Sequence, residues 1–230
     1  MKILYLVCGM HHSLTSMVIK FLIDNGAYAP DEITYLENTT YLTHENKQLQ
    51  DWIRKSRYSN VPVVFPALRK LHLPKLKKYF EELPDGDIFM KEPASVFFLD
   101  DIRRIFPGAV KVIYVTRSPE QTMLSVLDKA NDGKLKHFSY VFNKMCYVHR
   151  AIMNWSGELH TVIAERIANK NIYEMIRLLM YCDLWNQRLP NTDSIQPLKI
   201  RKYSYWRYRV SNFLLKRLQM LLSMDIKENK

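Results

Sequence analysis

The N-terminal segment of this chain constrains its fold more than any other stretch. An apolar run of strand length, Ile3 to Cys8, stops at Gly9, and a serine- and threonine-containing turn follows. An amphipathic helix then begins near Ser16 and ends at Asn25-Gly26. A strand, a tight turn and a helix N-terminus bring backbone N–H groups and the positive end of the helix dipole to one point. The segment therefore predicts an α/β fold with an anion site after its first strand.

The turn resembles a nucleoside-triphosphate loop that lacks its lysine. On the pattern GxxxxGK[ST], Gly9 and Ser16 fall in register, but Leu14 stands at the second glycine and Thr15 at the lysine. That lysine contacts the β- and γ-phosphates, so its absence favours a ligand with a single 5′ phosphate group. An ordinary helix N-cap in an α/β domain is the alternative interpretation.

A second strand-to-helix segment supplies a candidate phosphate ligand. The β-branched run from Val110 to Thr116 lies between Pro107-Gly108 and Ser118-Pro119. Arg117 therefore lies at the C-terminal end of a buried strand, the edge at which α/β sheets bind ligands. Ser125 follows about two helical turns later, so its hydroxyl can face back toward the arginine. Together they offer a charged fork and a neutral donor, which suits a terminal phosphate monoester.

These segments resemble those of the sulfotransferases that use 3′-phosphoadenosine 5′-phosphosulfate (PAPS). In that family a loop of the type HRSGTS holds the 5′-phosphosulfate, and a segment of the type R-[SN]-P-x(5)-S holds the 3′-phosphate. The loop here consists of His11, His12, Ser13, Leu14, Thr15 and Ser16. The second segment runs from Arg117 to Ser125. The resemblance implies that these residues, with Gly9, bind PAPS and its product 3′,5′-phosphoadenosine (PAP).

Two further segments extend the resemblance. FMKEPASVFFL is similar to the family's third strand end and places Lys91 and Glu92 there. Near the C-terminus, PLKIRKYSYW and RVSNFLLKRLQML resemble the strand and helix that close the family's core, with Tyr203 where those proteins often carry Tyr-Glu-Asp.

The alternation of strands and helices predicts a P-loop-like, doubly wound and mostly parallel sheet with helices on both faces. We expect a single domain over residues 1–230, with a helical insert near 39–83 and a helical region near 134–188.

The resemblance implies in-line transfer of a sulfuryl group to a hydroxyl of an acceptor, without a metal. Lys91 is the candidate that stabilises charge on the bridging oxygen, with His12 and the helix N-terminus beside it. Glu92 and His11 are the two candidate bases. The alternative interpretation of Lys91 and Glu92 is a solvent-exposed pair at a strand end.

Two positions depart from the family's pattern. His12 replaces an arginine or lysine, although a protonated histidine beside a dianion still donates. Leu14 replaces a glycine whose missing side chain lets the backbone approach the ligand. Two other functions therefore stay open. One is a non-catalytic nucleotide- or anion-binding protein of the same fold, and the other is a P-loop kinase or NTPase, which the missing lysine disfavours.

Composition limits the remaining classes of protein. The 230 residues are 47% hydrophobic, enough for one sizeable core. Cys8, Cys146 and Cys182 lie far apart with no CxxC pair, which favours free thiols in a reducing compartment over disulfides or zinc. No stretch reaches the length of a membrane-spanning helix, and the N-terminal apolar run is shorter than a signal sequence. We therefore expect a cytoplasmic protein.

The formal net charge of +11 suggests anionic ligands. A basic surface steers anions such as PAPS and an acidic acceptor, for example a glycan, toward the protein. The interleaved aromatic and basic residues of IRKYSYWRYR are also found in nucleic-acid-binding proteins. Nucleic acid is the less favoured partner, because the proposed cofactor itself explains the charge.

Overall fold

The sheet of this protein consists of parallel strands. The computed structural model describes residues 2–10, 13–30, 45–55, 66–130, 135–193, 195 and 213. Its strands are β1 (Ile3–Gly9), β2 (Asp87–Lys91), β3 (Ala109–Thr116) and β4 (Leu159–Ile163). They form one sheet in the order β2-β1-β3-β4, and every neighbouring pair is parallel. The predicted parallel α/β sheet is therefore confirmed.

Helices connect the strands and cover the sheet. They are α1 (Thr15–Asp24), α2 (Lys47–Lys55), α3 (Pro66–Glu82), α4 (Leu99–Ile105), α5 (Pro119–Ala130), α6 (Leu135–Met153), α7 (Ala164–Ala168) and α8 (Ile172–Tyr181). A 3₁₀ helix, Pro93–Phe98, joins β2 to α4. None of the helices in these ranges is long and apolar enough to cross a membrane.

The central strand β1 contributes to a separate core on each face of the sheet. Leu4 and Leu6 belong to a core with side chains of α2 through α6. Tyr5 and Val7 belong to a second core with α1, α7 and α8. Successive side chains of a strand point to opposite faces, so a strand buried on both sides is a continuous apolar run. Helices therefore cover both faces, as the sequence predicts.

The region from 134 to 188 differs from the prediction, because it is not wholly helical. The strand β4 lies between α6 and α7 and pairs with β3, and it is the last strand in the order of the described sheet. It has only five residues, of which Val162 alone is fully buried. A short, half-exposed strand leaves only a weak apolar pattern in the sequence.

The predicted insert near 39–83 contains two helices, α2 and α3, within the described ranges. The C-terminal strand and Tyr203 lie outside the described residues, so their placement stays a prediction.

Candidate anion-binding and transfer site

The ends of three strands meet at one edge of the sheet. Gly9 of β1 pairs with Val115 of β3, and Val7 of β1 pairs with Lys91 of β2. Because the strands are parallel, the loops that follow them leave from the same edge, which is where open α/β sheets bind ligands. The fold therefore places three of the four motif-bearing segments side by side, and the C-terminal one lies outside the described residues.

Gly9 is a point of close approach between β1 and β3. A Cβ atom added there would lie 2.4 Å from the carbonyl oxygen of Val115, and the residue has φ of 155°. A larger residue fits only if the two strands move apart. Burial raises the pKa of the neighbouring Cys8 thiol, so that residue is a neutral core side chain rather than a nucleophile.

Leu14 adopts the backbone conformation expected of a glycine. Its φ is 68° and its ψ is 24°, at the N-cap of α1. This left-handed region costs an L-residue about 1–2 kcal/mol. The leucine side chain packs against the core on the α1 face of the sheet. The loop therefore keeps a glycine-like turn, while its side chain is held by packing.

Ser13 carries a buried hydroxyl group without a partner. The residue is 1% exposed, and within the described part of the chain its Oγ has no hydrogen bond. Such a group costs about 1–3 kcal/mol, which a bound anion oxygen would remove. Thr15 begins α1 and is 4% exposed, and α1 has no side-chain cap. The helix N-terminus thus keeps N–H groups for an anion.

Lys91 places a positive charge at this helix N-terminus. It is the last residue of β2, and its side chain is 2% exposed. Its Nζ donates to Ser16 Oγ at 3.1 Å and to Glu45 Oε1 at 2.9 Å. The strand β2 therefore places a buried ammonium group, paired with Glu45, beside the first turn of α1. This burial rules out the interpretation of Lys91 and Glu92 as a solvent-exposed pair.

Glu45 is a site residue that the sequence does not reveal. It lies just before α2, and its side chain is 14% exposed. Gln50 Nε2 donates to its second carboxylate oxygen. The backbone N–H of Asn46 donates to the carbonyl of Lys91 at 3.0 Å, which fixes the start of α2 beside the end of β2. An isolated glutamate, 46 residues before its partner, matches no motif, so only the fold identifies it.

Glu92 is also buried, at 3% exposure, and caps the 3₁₀ helix that follows it. Its Oε1 accepts the N–H of Ala94 at 3.0 Å. Its own N–H donates to the carbonyl of Val7 at 3.2 Å. The residue therefore holds the turn after β2 in place. Its predicted role as a base stays a prediction.

Arg117 directly follows β3, and its side chain is only 6% exposed. Its Nε lies 4.0 Å from Glu165 Oε1, which also accepts the N–H of Ser118 at 2.7 Å. Glu165 of α7 thus holds the start of α5 through Ser118 and places a carboxylate near the guanidinium of Arg117. Ser125 lies on α5 and is 6% exposed. A shared role of Arg117 and Ser125 in binding one phosphate stays a prediction.

The two histidines of the loop, His11 and His12, lie outside the described residues, so their predicted roles are untested. Among the residues that the structure does describe, no group of three or more His, Cys, Asp or Glu side chains is arranged to hold a metal ion. The described side chains at this edge of the sheet include the hydroxyls of Ser13, Thr15 and Ser16, and Lys91 with its partner Glu45.

No family model and no curated protein matches this chain. A solved structure with a similar fold is the sulfotransferase domain from the Synechococcus PCC 7002 olefin synthase. Its TM-score is 0.53 at 12% sequence identity, and the match covers 94% of each chain. At this identity the likeness concerns the fold. The chain therefore has a sulfotransferase-like P-loop fold, in which the described residues form a four-stranded parallel sheet between two layers of helices.

Proposed function

We propose that this chain is a sulfotransferase that moves a sulfuryl group from PAPS to a hydroxyl group of an acceptor. The observation that carries the proposal is the hydrogen bond from Lys91 to Ser16, which sets a buried ammonium at the N-terminus of α1. There its charge adds to that of the helix dipole. This combination suits a ligand in which negative charge develops during the reaction.

The residues of the site fit an anionic nucleotide of this kind. The loop from Gly9 to Ser16 binds the 5′-phosphosulfate through N–H groups and hydroxyls, among them the buried Oγ of Ser13. Arg117 and Ser125 bind the 3′-phosphate. When bound, PAPS supplies a sulfuryl group that is already activated as a mixed anhydride.

Lys91 stabilises the leaving group in the proposed reaction. A bond forms between the acceptor oxygen and sulfur, while the bond from sulfur to the bridging oxygen breaks and leaves negative charge on that oxygen. A buried donor fixed in advance lowers the free energy of such a transition state by about 3–4 kcal/mol. The contacts of Lys91 with Ser16 and Glu45 provide that fixed position.

Glu45 joins Glu92 and His11 as a candidate for the base that takes the acceptor proton. Its carboxylate lies 2.9 Å from Lys91 Nζ, so the proton acceptor and the leaving-group donor are adjacent. One oxygen of Glu92 already accepts a backbone N–H of the turn. Both oxygens of Glu45 accept hydrogen bonds as well, from Lys91 and Gln50, so all three residues stay candidates for the base.

Thermal unfolding with PAP, ATP or GTP, each without magnesium, tests the proposal. PAP should raise the melting temperature, because a ligand that binds only the folded chain stabilises it. Release of PAP from PAPS in the presence of hydroxyl acceptors then measures turnover. A chain that PAP does not stabilise at millimolar concentration contradicts the proposal, and stabilisation by ATP or GTP alone favours a kinase or NTPase.

A non-catalytic anion-binding protein of the same fold is the second candidate. The ion pair between Lys91 and Glu45 favours it, because the carboxylate neutralises the charge that transfer requires. Stabilisation by PAP without turnover on any acceptor would support this candidate.

The placement of Arg117 is tested by Arg117→Ala. Loss of a charge-assisted pair should weaken PAP binding by about 2 kcal/mol. Adenosine 5′-phosphosulfate, which lacks the 3′-phosphate, serves as the matched ligand and should bind the variant and the native chain alike. Equal losses for both ligands would place Arg117 away from the 3′-phosphate.

A further inference from the structure

The ammonium group of Lys91 is covered by a carboxylate of the same chain. Glu45 Oε1 accepts a hydrogen bond from Lys91 Nζ at 2.9 Å. The Lys91 side chain is only 2% exposed, whereas that of Glu45 is 14% exposed. A ligand therefore has almost no surface of Lys91 to contact while this pair is closed, and Glu45 is the partner that water and ligands reach.

Glu45 offers Lys91 the same kind of group that an anionic ligand would offer. A carboxylate oxygen and a phosphate or sulfate oxygen both accept short, charge-assisted hydrogen bonds from an ammonium. Lys91 Nζ also donates to Ser16 Oγ in the first turn of α1. Since both acceptors bind the same nitrogen, the carboxylate lies close to the N-terminal turn of this helix, on the side of the sheet from which the anion loop leaves.

The contacts around the pair allow one anion to replace another. When Glu45 leaves, the hydrogen bond to Ser16 still holds the ammonium in place. The start of α2 is fixed separately, by the backbone N–H of Asn46 and the carbonyl of Lys91. An unpaired buried charge is costly, but an incoming anion restores a partner to Lys91 while the Glu45 carboxylate turns toward water. In the closed pair, Gln50 Nε2 donates to the second oxygen of Glu45 and holds the carboxylate.

We infer that Glu45 is a competitor built into the anion site, whose carboxylate occupies Lys91 until the negatively charged group of the ligand displaces it. The inference rests on the proposed function for the identity of that ligand, a phosphosulfate. The apparent dissociation constant then equals the intrinsic one divided by the fraction of molecules in which the pair is open. An open state that is populated to about 10% or less lowers the affinity about tenfold or more.

Calorimetry with inorganic pyrophosphate, without magnesium, tests the inference on the native chain and on Glu45→Gln. Glutamine keeps the shape of glutamate and still accepts a hydrogen bond, but it does not neutralise Lys91. The variant should bind pyrophosphate about tenfold more tightly, whereas loss of a merely structural contact would weaken binding. Glu82→Gln is the matched control, because it changes the net charge equally at an exposed glutamate that pairs with Lys78. Its affinity should equal that of the native chain.

Two further variants separate displacement of Glu45 from other effects. Gln50→Met removes the donor to the second carboxylate oxygen without changing the charge of the chain. It should raise the affinity for pyrophosphate in the same direction, by about threefold. In a Lys91→Met background, Glu45→Gln should give no gain, because the carboxylate then has no ammonium to occupy.

Binding of pyrophosphate by Glu45→Gln that equals or falls below that of the native chain overturns the inference. A gain that persists in the Lys91→Met background, or that Glu82→Gln shows equally, overturns it too. With nucleotides, PAP should bind Glu45→Gln more tightly than the native chain, while adenosine 3′-phosphate, which lacks the 5′ group, should not. Tighter pyrophosphate binding together with no binding of PAP would refute the proposed function and leave Glu45 as the competitor of another anion.

Discussion

At the scale of single residues, the strained leucine of the anion loop gives a direct test. Leu14 lies in the left-handed region at the N-cap of α1. Leu14→Ala keeps the strain and loses packing, whereas Leu14→Gly loses the same packing but removes the strain. Urea unfolding should therefore find the glycine variant more stable than the alanine variant by about 1 kcal/mol. An alanine variant of equal or greater stability would show that the turn relaxes to another conformation.

A substitution of Lys91 tests the proposed sulfuryl transfer. Lys91→Met removes the ammonium beside Ser16 and should lower kcat for sulfuryl transfer at least about a hundredfold, the usual cost of losing a transition-state donor. Glu45→Gln should also lower kcat, while PAP affinity changes less, because a base acts on the acceptor.

The matched control for Lys91 is Lys78→Met, because Lys78 is exposed on α3 and pairs with Glu82 at 3.7 Å. Its rate should equal that of the native chain. A Lys91→Met variant with native kcat would assign Lys91 a purely structural role.

At the scale of elements, Gly9 sets how closely β1 and β3 approach. Gly9→Ala should lower the free energy of unfolding by about 2 kcal/mol or more, since the added methyl group meets the carbonyl of Val115 at 2.4 Å. Gly26 is the control: its φ of 101° is also glycine-like, but an added Cβ meets nothing within 4 Å. Gly26→Ala should therefore cost only about 1 kcal/mol. Equal losses in urea unfolding would mean that backbone strain alone, and not strand contact, restricts both positions.

The length and burial of each element explain how much of the fold could be predicted from the sequence. β1 and β3 are long strands with mostly buried side chains, and α1 is an amphipathic helix. The spacing of their apolar residues therefore identifies each of these elements in the sequence. β4 is short and half-exposed, and its pattern is lost between two helices. The segment with Lys91 could be placed at a strand end, but its burial could not. The contact with Glu45 depends on β2 pairing beside β1, an order that local sequence does not encode.

At the scale of the whole molecule, acidification adds protons to a chain whose formal charge is already +11. General self-repulsion therefore grows as the pH falls. One partly buried histidine adds a specific contribution. His160 stacks on Tyr181 at 4.9 Å between ring centres, and its Nε2 is buried without a partner in the described part of the chain. Desolvation lowers the pKa of His160, and the charge of Arg177 lowers it further, against an opposing effect of Glu174.

The sign of the effect follows from that shift. Because the pKa of His160 is lower in the folded chain than in the unfolded chain, protons bind the unfolded chain more readily. Its contribution to stability is complete above the unfolded pKa of about 6.5 and is lost as the pH falls below that value. His160→Phe keeps the ring stack and removes the titration. Its free energy of unfolding should thus fall less than that of the native chain between about pH 7.5 and 5.5.

Two comparisons separate this contribution from general repulsion. His149, which is exposed on α6, gives the matched variant His149→Phe, and its pH dependence should follow that of the native chain. In about 1 M salt the screening length falls to about 3 Å, which suppresses the repulsion between surface charges but has much less effect on the cost of charging a partly buried ring. The difference between the native chain and His160→Phe should therefore persist in high salt. A difference that vanishes with salt would assign the pH dependence to the net charge of the molecule rather than to the burial of His160.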